Sequence, residues 1–202
     1  MPRPRSLTDE TIAAAALTVL DRDGLAGLSM RTVARELGVG TMSLYRYVAD
    51  RDELETLVVD RVLAGVDTGV SATSAARRLA TLAERVRAAV VEHPEVIPLL
   101  LAHRHRAPGS LRWGEAVLEV LADAGIDGRR RVVAFRTVLA YVLGALQNHY
   151  YAPLAGAGTD VIAALPAAQY PRLAATARHA RDVAAEDEFR RGFAIVLAGL
   201  AL

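Results

Sequence analysis

Cysteine and lysine are both absent from this 202-residue chain, and aromatic residues make up only 5% of it. The first absence excludes disulfides and thiolate chemistry outright. The second leaves arginine to supply all 24 basic residues. No run of 18 or more uninterrupted apolar residues occurs, and the N-terminus carries no apolar signal core, which predicts a cytoplasmic protein without a membrane segment. Also missing are a phosphate-binding glycine loop, a metal-ligand motif and a nucleophile elbow, so neither an enzyme nor a bound cofactor is expected. No alternating run of β-branched residues argues for a sheet.

What is present is apolar and helix-forming. The apolar fraction is 52%, much of it alanine and leucine, ample for a core and suited to an all-α protein. The net charge is +1. Residues 1–62 carry eight arginines against ten carboxylates, so a broad basic face is not available there. Any nucleic-acid contact must come from a few arginines gathered on one side, with the carboxylates placed elsewhere.

The chain is organised around Ser29–Arg51, SMRTVARELGVGTMSLYRYVADR. Ser29 can cap a helix over Met30–Leu37, and Gly38 suits the left-handed position that ends it. Val39 and Gly40 lead to a second short helix, about Thr41–Tyr47. Val33, Ala34, Leu37, Val39, Leu44 and Val48 fall where a compact helix-turn-helix needs its inner face. Arg31, Arg35, Thr41, Met42, Ser43, Tyr45, Arg46 and Tyr47 remain outside: guanidinium forks, small hydroxyls, a flexible apolar tip and two phenols. That set suits DNA. A helix-turn-helix reader sets the N-terminal part of its second helix against the bases, which nominates Thr41, Met42 and Ser43.

With its flanks, LTDETIAAAALTVLDRDGLAGLSMRTVARELGV and TMSLYRYVADRDELETLV, this stretch resembles the DNA-binding domain of the tetracycline-repressor (TetR-type) family of transcriptional regulators. The resemblance covers about residues 5–62. It implies an all-α chain with an N-terminal three-helix DNA-binding domain, residues 1–66, the helix-turn-helix lying at about 29–48. Residues 67–202 would form a larger helical domain for ligand binding and dimerisation. It further implies base reading by Arg31 and by Thr41, Met42 and Ser43, with Tyr45, Tyr47 and Arg51 at positions that touch phosphates. Arg46 stands where the tetracycline repressors carry an aromatic residue.

The rest of the chain is read in order. Arg3 and Arg5 could form an N-terminal arm reaching DNA. Thr8 caps a first helix over Leu7–Asp23, with Ile12, Ala16, Val19 and Leu20 buried and Gly24 ending it. Asp50 and Glu53 open a fourth helix running to about Val66, with Arg51 beside its free N–H groups. Gly65–Ala76 is a composition break. Helices follow over Ser74–His93, Pro94–Ala102, Leu111–Ala124, Asp127–Tyr151 and Glu186–Leu202, with a weakly patterned stretch around Pro166 and Pro171. The Asp127–Tyr151 helix is apolar nearly all round and is expected to be buried on more than one side.

Two further sites follow from the resemblance. A small, largely apolar effector would sit among Leu100, His103, Trp113, Val117, Phe135, Tyr141, Asn148 and His149; Asn148 is the chain's only asparagine and shares a helix face with Tyr141. A homodimer would form through Ala140, Leu143, Gly144 and Gln147 with Phe189, Phe193, Val196 and Leu200. Two-fold pairing is also needed physically, because one short helix reads only a few base pairs. His103 and His105, two apart, do not share a helix face, so they predict no metal site. The alternative from another class is a small-molecule carrier or interaction adaptor whose helix-turn-helix is not used.

Overall fold

The computed structural model describes residues 7–72, 74–151 and 156–200, and every regular element among them is helical. The α-helices are α1 Asp9–Gly27, α2 Met30–Glu36, α3 Thr41–Leu44, α4 Arg51–Ala64, α5 Ala75–Val91, α6 Ile97–His103, α7 Pro108–Asp123, α8 Gly128–Tyr151, α9 Ala157–Ala163, α10 Pro171–Ala180 and α11 Ala185–Gly199. A short 3-10 turn, Pro94–Val96, precedes α6. No helix among the described residues is long and apolar enough to cross a membrane. The arm expected at Arg3 and Arg5 lies outside the described residues.

Packing divides the chain into two compact units: residues 1–69 with 85–116, and residues 70–84 with 117–202. This division differs from the one expected at residue 66, since the first unit also takes in the end of α5, all of α6 and the start of α7.

In the first unit, α1 packs on α2 and α4, and α4 packs on α6. Thr8 and Thr11 form a reciprocal capping box at the start of α1. Ile12, Ala16, Val19 and Leu20 are fully buried, as the spacing predicts. Gly24, with φ +68°, breaks the helical geometry where the sequence ends it, although a last turn continues to Gly27. The carboxyl of Asp60 accepts the backbone N–H of Gly109 at 2.6 Å, joining the end of α4 to the start of α7. The sequence reading leaves Pro108-Gly109 in a turn; instead Pro108 opens α7, where its missing N–H costs nothing. A Cβ on Gly109 would stand 2.8 Å from the Leu63 Cβ and 2.9 Å from its carbonyl carbon, so only glycine fits. The segment after α4 is pinned as well: Arg85 donates to the Asp67 and Gly69 carbonyls, each at 2.7 Å, and pairs with the Asp67 carboxylate.

In the second unit, α8 packs on α11 and α9 on α10. Both α9 and α10 lie in the stretch that shows little pattern in sequence. Ala134, Val138, Val142 and Leu146 form the buried stripe of α8, one residue per turn. Within this one chain the other sides of α8 are more open: Val132 and Val133 are 48% and 64% exposed, and Ala140 is exposed. Tyr141 packs against Phe189 and Phe193 with ring centroids 5.7 and 5.4 Å away, and its hydroxyl donates to the Phe189 carbonyl at 2.8 Å. Burial, with the nearby Glu188 charge, pushes the Tyr141 phenol above its ordinary value.

Two substitutions test these close approaches. Gly109→Ala should cost about 1–3 kcal/mol, read by urea or thermal unfolding, because a backbone carbon rather than a mobile side chain blocks the methyl. An unchanged unfolding midpoint would contradict the packing of α7 on α4. On Gly192 of α11 an added Cβ would strike the Tyr141 hydroxyl. Gly192→Ala should therefore destabilise, and Tyr141→Phe in the same chain should recover part of the loss, a non-additivity measured by a double-mutant cycle.

Candidate nucleic-acid interface

Residues 29–51 fold as the spacing predicts. The Ser29 hydroxyl accepts the Thr32 N–H at 3.2 Å and Thr32 returns the bond to the Ser29 N–H at 3.0 Å, a two-way cap worth about 1 kcal/mol. The Thr32 hydroxyl also donates to the Gly27 carbonyl at 2.7 Å, tying α2 to the end of α1. Gly38 adopts φ +68°, the left-handed turn that L-residues with a Cβ resist. Val33, Leu44 and Val48 are fully buried and Ala34 nearly so, whereas Leu37 and Val39 are only half-buried. The second helix is shorter than expected: α3 ends at Leu44 and Tyr45–Tyr47 continue as turns, with the Tyr47 N–H donating to the Leu44 carbonyl at 2.9 Å.

The outer face is built as the residue types suggest. Met42 is 78% exposed, Tyr45 45% and Tyr47 41%; Arg31 and Arg46 are exposed, while Thr41 and Ser43 are half-buried. Arg31 and Arg46 make no hydrogen bond or ion pair with other described residues, so their guanidinium forks are uncommitted. Most of the carboxylates that outnumber arginine in this region are employed elsewhere. Asp23 and Glu36 both engage Arg22, at 3.0 and 2.9 Å, and the Arg22 hydrogen bond holds the Asp23 carboxyl below its ordinary value. Asp21 meets the His93 ring at 2.8 Å. Asp50 accepts the Glu53 N–H at 2.8 Å, and Glu53 accepts the Ala49 N–H at 2.6 Å, which caps α4.

Arg51 is the one member of the predicted set that is already engaged. Its Nε donates to Glu55 Oε1 at 2.6 Å, and the other carboxylate oxygen, Oε2, meets His103 Nε2 of α6 at 2.7 Å. Along this chain exposure falls from 53% at the Arg51 side chain to 11% at Glu55 and 8% at His103. Asp52, exposed, adds a third possible ligand atom within 4.8 Å of those of Glu55 and His103. No spacing within the sequence foreshadows this grouping, since Glu55 and His103 are 48 residues apart. The one available signal is Glu55 itself, a carboxylate at a core position of α4 between Leu54 and Val58.

The remaining predicted residues separate by unit. Within the first, Leu100, His103 and Trp113 are buried. Within the second, Val117 is buried, Phe135 and Tyr141 are half-buried, and Asn148 and His149 are exposed. Asn148 and Tyr141 therefore do not meet in a common apolar wall, and the Tyr141 hydroxyl is spent on α11. Of the predicted dimer residues, Phe189 and Phe193 are buried against Tyr141 within the same chain, which removes them from any outer face. Ala140 is exposed; Leu143, Gly144, Gln147, Val196 and Leu200 are half-buried. A shallow apolar depression of about 580 Å³ on this surface is lined by Val133, Arg136, Thr137, Ala140, Tyr141 and Val196, and Ile195 stands 75% exposed on α11.

Comparison with known proteins places this architecture. A profile described as "Bacterial regulatory proteins, tetR family" matches residues 12–54, and one described as "Tetracyclin repressor-like, C-terminal domain" matches residues 72–202. The HTH-type transcriptional repressor DrrR1 of Streptomyces coeruleorubidus is 36% identical over 154 residues, 74% of this chain and 56% of that protein. An HTH-type transcriptional regulator of Saccharopolyspora erythraea is 33% identical over 142 residues, 69% of this chain and 60% of its own length. The chain thus spans little more than half of these relatives. Among solved structures, the TetR family protein ActR of Streptomyces coelicolor in complex with actinorhodin superimposes with a TM-score of 0.84 at 26% identity, covering 98% of this chain and 96% of that one. With the two profiles together running across most of its length, the chain belongs to the tetR family of bacterial regulatory proteins.

Proposed function

We propose that this chain is a ligand-responsive, DNA-binding transcriptional regulator. It acts as a repressor in the cytoplasm, not as an enzyme, holding a palindromic operator as a homodimer and leaving it when a small, largely apolar molecule binds. One observation carries the reading. The exposed face of the helix-turn-helix offers free arginine forks at Arg31 and Arg46 beside Met42, Tyr45 and Tyr47, while the neighbouring carboxylates are tied up in caps and ion pairs. Such a face has no use in a carrier or an adaptor.

Within this reading residues 1–66 bind DNA and residues 67–202 sense and dimerise. Arg31 and the Thr41–Ser43 segment read base edges; Tyr45, Tyr47 and Arg51 hold phosphates. The apolar surface of α8 and α11, with Val133, Ala140, Val196 and Ile195, supplies the two-fold contact, and an isologous face of this kind meets its own copy. The effector is a small, largely apolar molecule taken up by the C-terminal region. Operator and effector then oppose each other through one equilibrium, so each must weaken the other by the same factor.

Selection of random duplex DNA on the purified protein, followed by sequencing, tests the reading. An inverted repeat with half-sites about 34–36 Å apart, or a multiple of that, is expected. A pool left unenriched at low salt would defeat the proposal. With that operator in hand, Arg31→Ala should cost about 1–3 kcal/mol and relax the preference at one base pair, whereas equal losses on operator and random DNA would remove Arg31 from base reading. Arg51→Ala should weaken all sequences alike and reduce the salt slope by about one.

A further inference from the structure

Asp52, Glu55 and His103 have the atoms for a metal site, yet their charges are already answered. Arg51 sits on Glu55 at 2.6 Å, and Arg106 faces Asp52 at 4.0 Å. The cluster also lies at the N-terminal end of α4, where the helix dipole disfavours a cation. A proton suits it better. We propose that His103 and Glu55 are positioning residues for Arg51, and that the charge on the buried His103 ring sets how freely Arg51 reaches a DNA phosphate. The inference rests on the reading of Arg51 as a phosphate contact.

Glu55 has two oxygens and spends one on each neighbour. While His103 is neutral it donates one Nε2–H to Oε2 but brings no charge, so the buried carboxylate relies on Arg51 alone for its counter-charge. Pulling Arg51 toward a phosphate then leaves Glu55 under-compensated in a dry setting, which is costly. When His103 takes a proton, the imidazolium supplies that counter-charge at 2.7 Å, and the half-exposed Arg51 is released at little cost. Acid therefore strengthens DNA binding, and by reciprocity DNA binding draws a proton onto His103. The other charged groups near the ring do not supply the same service. Asp52 is exposed and faces Arg106, while Glu95, on the turn before α6, lies beside Gly24. Arg104 and His105 follow His103 in the chain, and His105 is exposed.

The test is the pH profile of DNA affinity over the range in which the protein stays folded, measured by fluorescence anisotropy on operator and random duplexes. Three variants are compared with the full-length protein. His103→Gln keeps an N–H for Glu55 but cannot titrate. His93→Gln, at the exposed Asp21 pair, is the control for general acid effects. Arg51→Ala removes the group being positioned. The wild type and His93→Gln should gain about two- to fivefold more affinity on acidification than His103→Gln, on both duplexes alike. Arg51→Ala should show the same reduced gain as His103→Gln, and the double variant no further change. Calorimetry in two buffers of different ionisation heat should register proton uptake on DNA binding in the wild type and less in His103→Gln. Parallel profiles for wild type and His103→Gln, with both proteins folded by thermal melting, would overturn the inference while leaving Arg51 at the phosphate. If Arg51→Ala alters neither affinity nor salt slope at any pH, the phosphate reading fails and takes this inference with it.

Discussion

A carboxylate cannot be buried alone, and the Glu55 side chain is only 11% exposed in the core face of α4. Everything around it follows from that constraint. Arg51, one turn earlier on the same helix, supplies charge from the solvent side; His103, from α6, supplies a ring nitrogen from the interior. Meeting both partners fixes the rotation of α4 about its axis and its separation from α6. Asp60 and Leu63, about one and a half and two turns beyond, repeat the fixation against Gly109, where a part-buried hydrogen bond and a missing Cβ bring α7 to the end of the helix. α4 is thus held by polar contacts at its start and near its end, with Leu54, Val58, Val59 and Val62 packed between. Apolar burial supplies the cohesion, but it tolerates sliding; the directional contacts set the register.

The same logic resolves the charge balance of residues 1–62. An excess of carboxylates looks hostile to DNA if charge is treated as a sum. In the folded chain several of the carboxylates cap α4, join α1 to α2 through Arg22, or sit under Arg51, while Arg31 and Arg46 keep their donors free. At the screening length of physiological salt, about 8 Å, a local pattern of this kind matters more than the net value. Acidic residues that complete the scaffold therefore do not cancel the arginines that face outward.

The first half of the chain was legible in sequence because its signals are local. A capping serine three residues before its partner, a left-handed glycine and an apolar period of three and four all act within a few residues, and Ser29, Gly38 and the Val33–Val48 inner face appear where they are expected. The end of the second helix was less legible: Tyr45–Tyr47 keep helical hydrogen bonding only as turns, so outer-face residues were found and the element was overdrawn. In the second half the same reading did less well. α8 reads as apolar on every side, yet one side chain per turn is buried and Val132 and Val133 face outward, because composition cannot say whether an apolar face is covered by this chain or by a second copy. Phe189 and Phe193 show the reverse case. They carry a helical stripe suited to a partner, but Tyr141 of the same chain takes it. α9 and α10 were not foreseen at all, since their alanine-rich sequences carry a weak apolar period and rely on packing against each other.

What no local pattern could show is the long-range pairing of polar groups. Glu55 and His103 each have a bland reading taken singly: a carboxylate on a charged helix, a histidine at the end of a short apolar one. Their meaning lies in a 2.7 Å contact across 48 residues. That contact also reassigns His103. As a pocket residue it would turn its ring toward a small molecule; with Nε2 committed to Glu55, the ring faces α4 and, through Glu55, Arg51 at the start of that helix. A buried polar network is costly to assemble unless every member is satisfied. Here both Glu55 oxygens and the His103 Nε2 are. The exposed end of the network is an arginine with donors to spare.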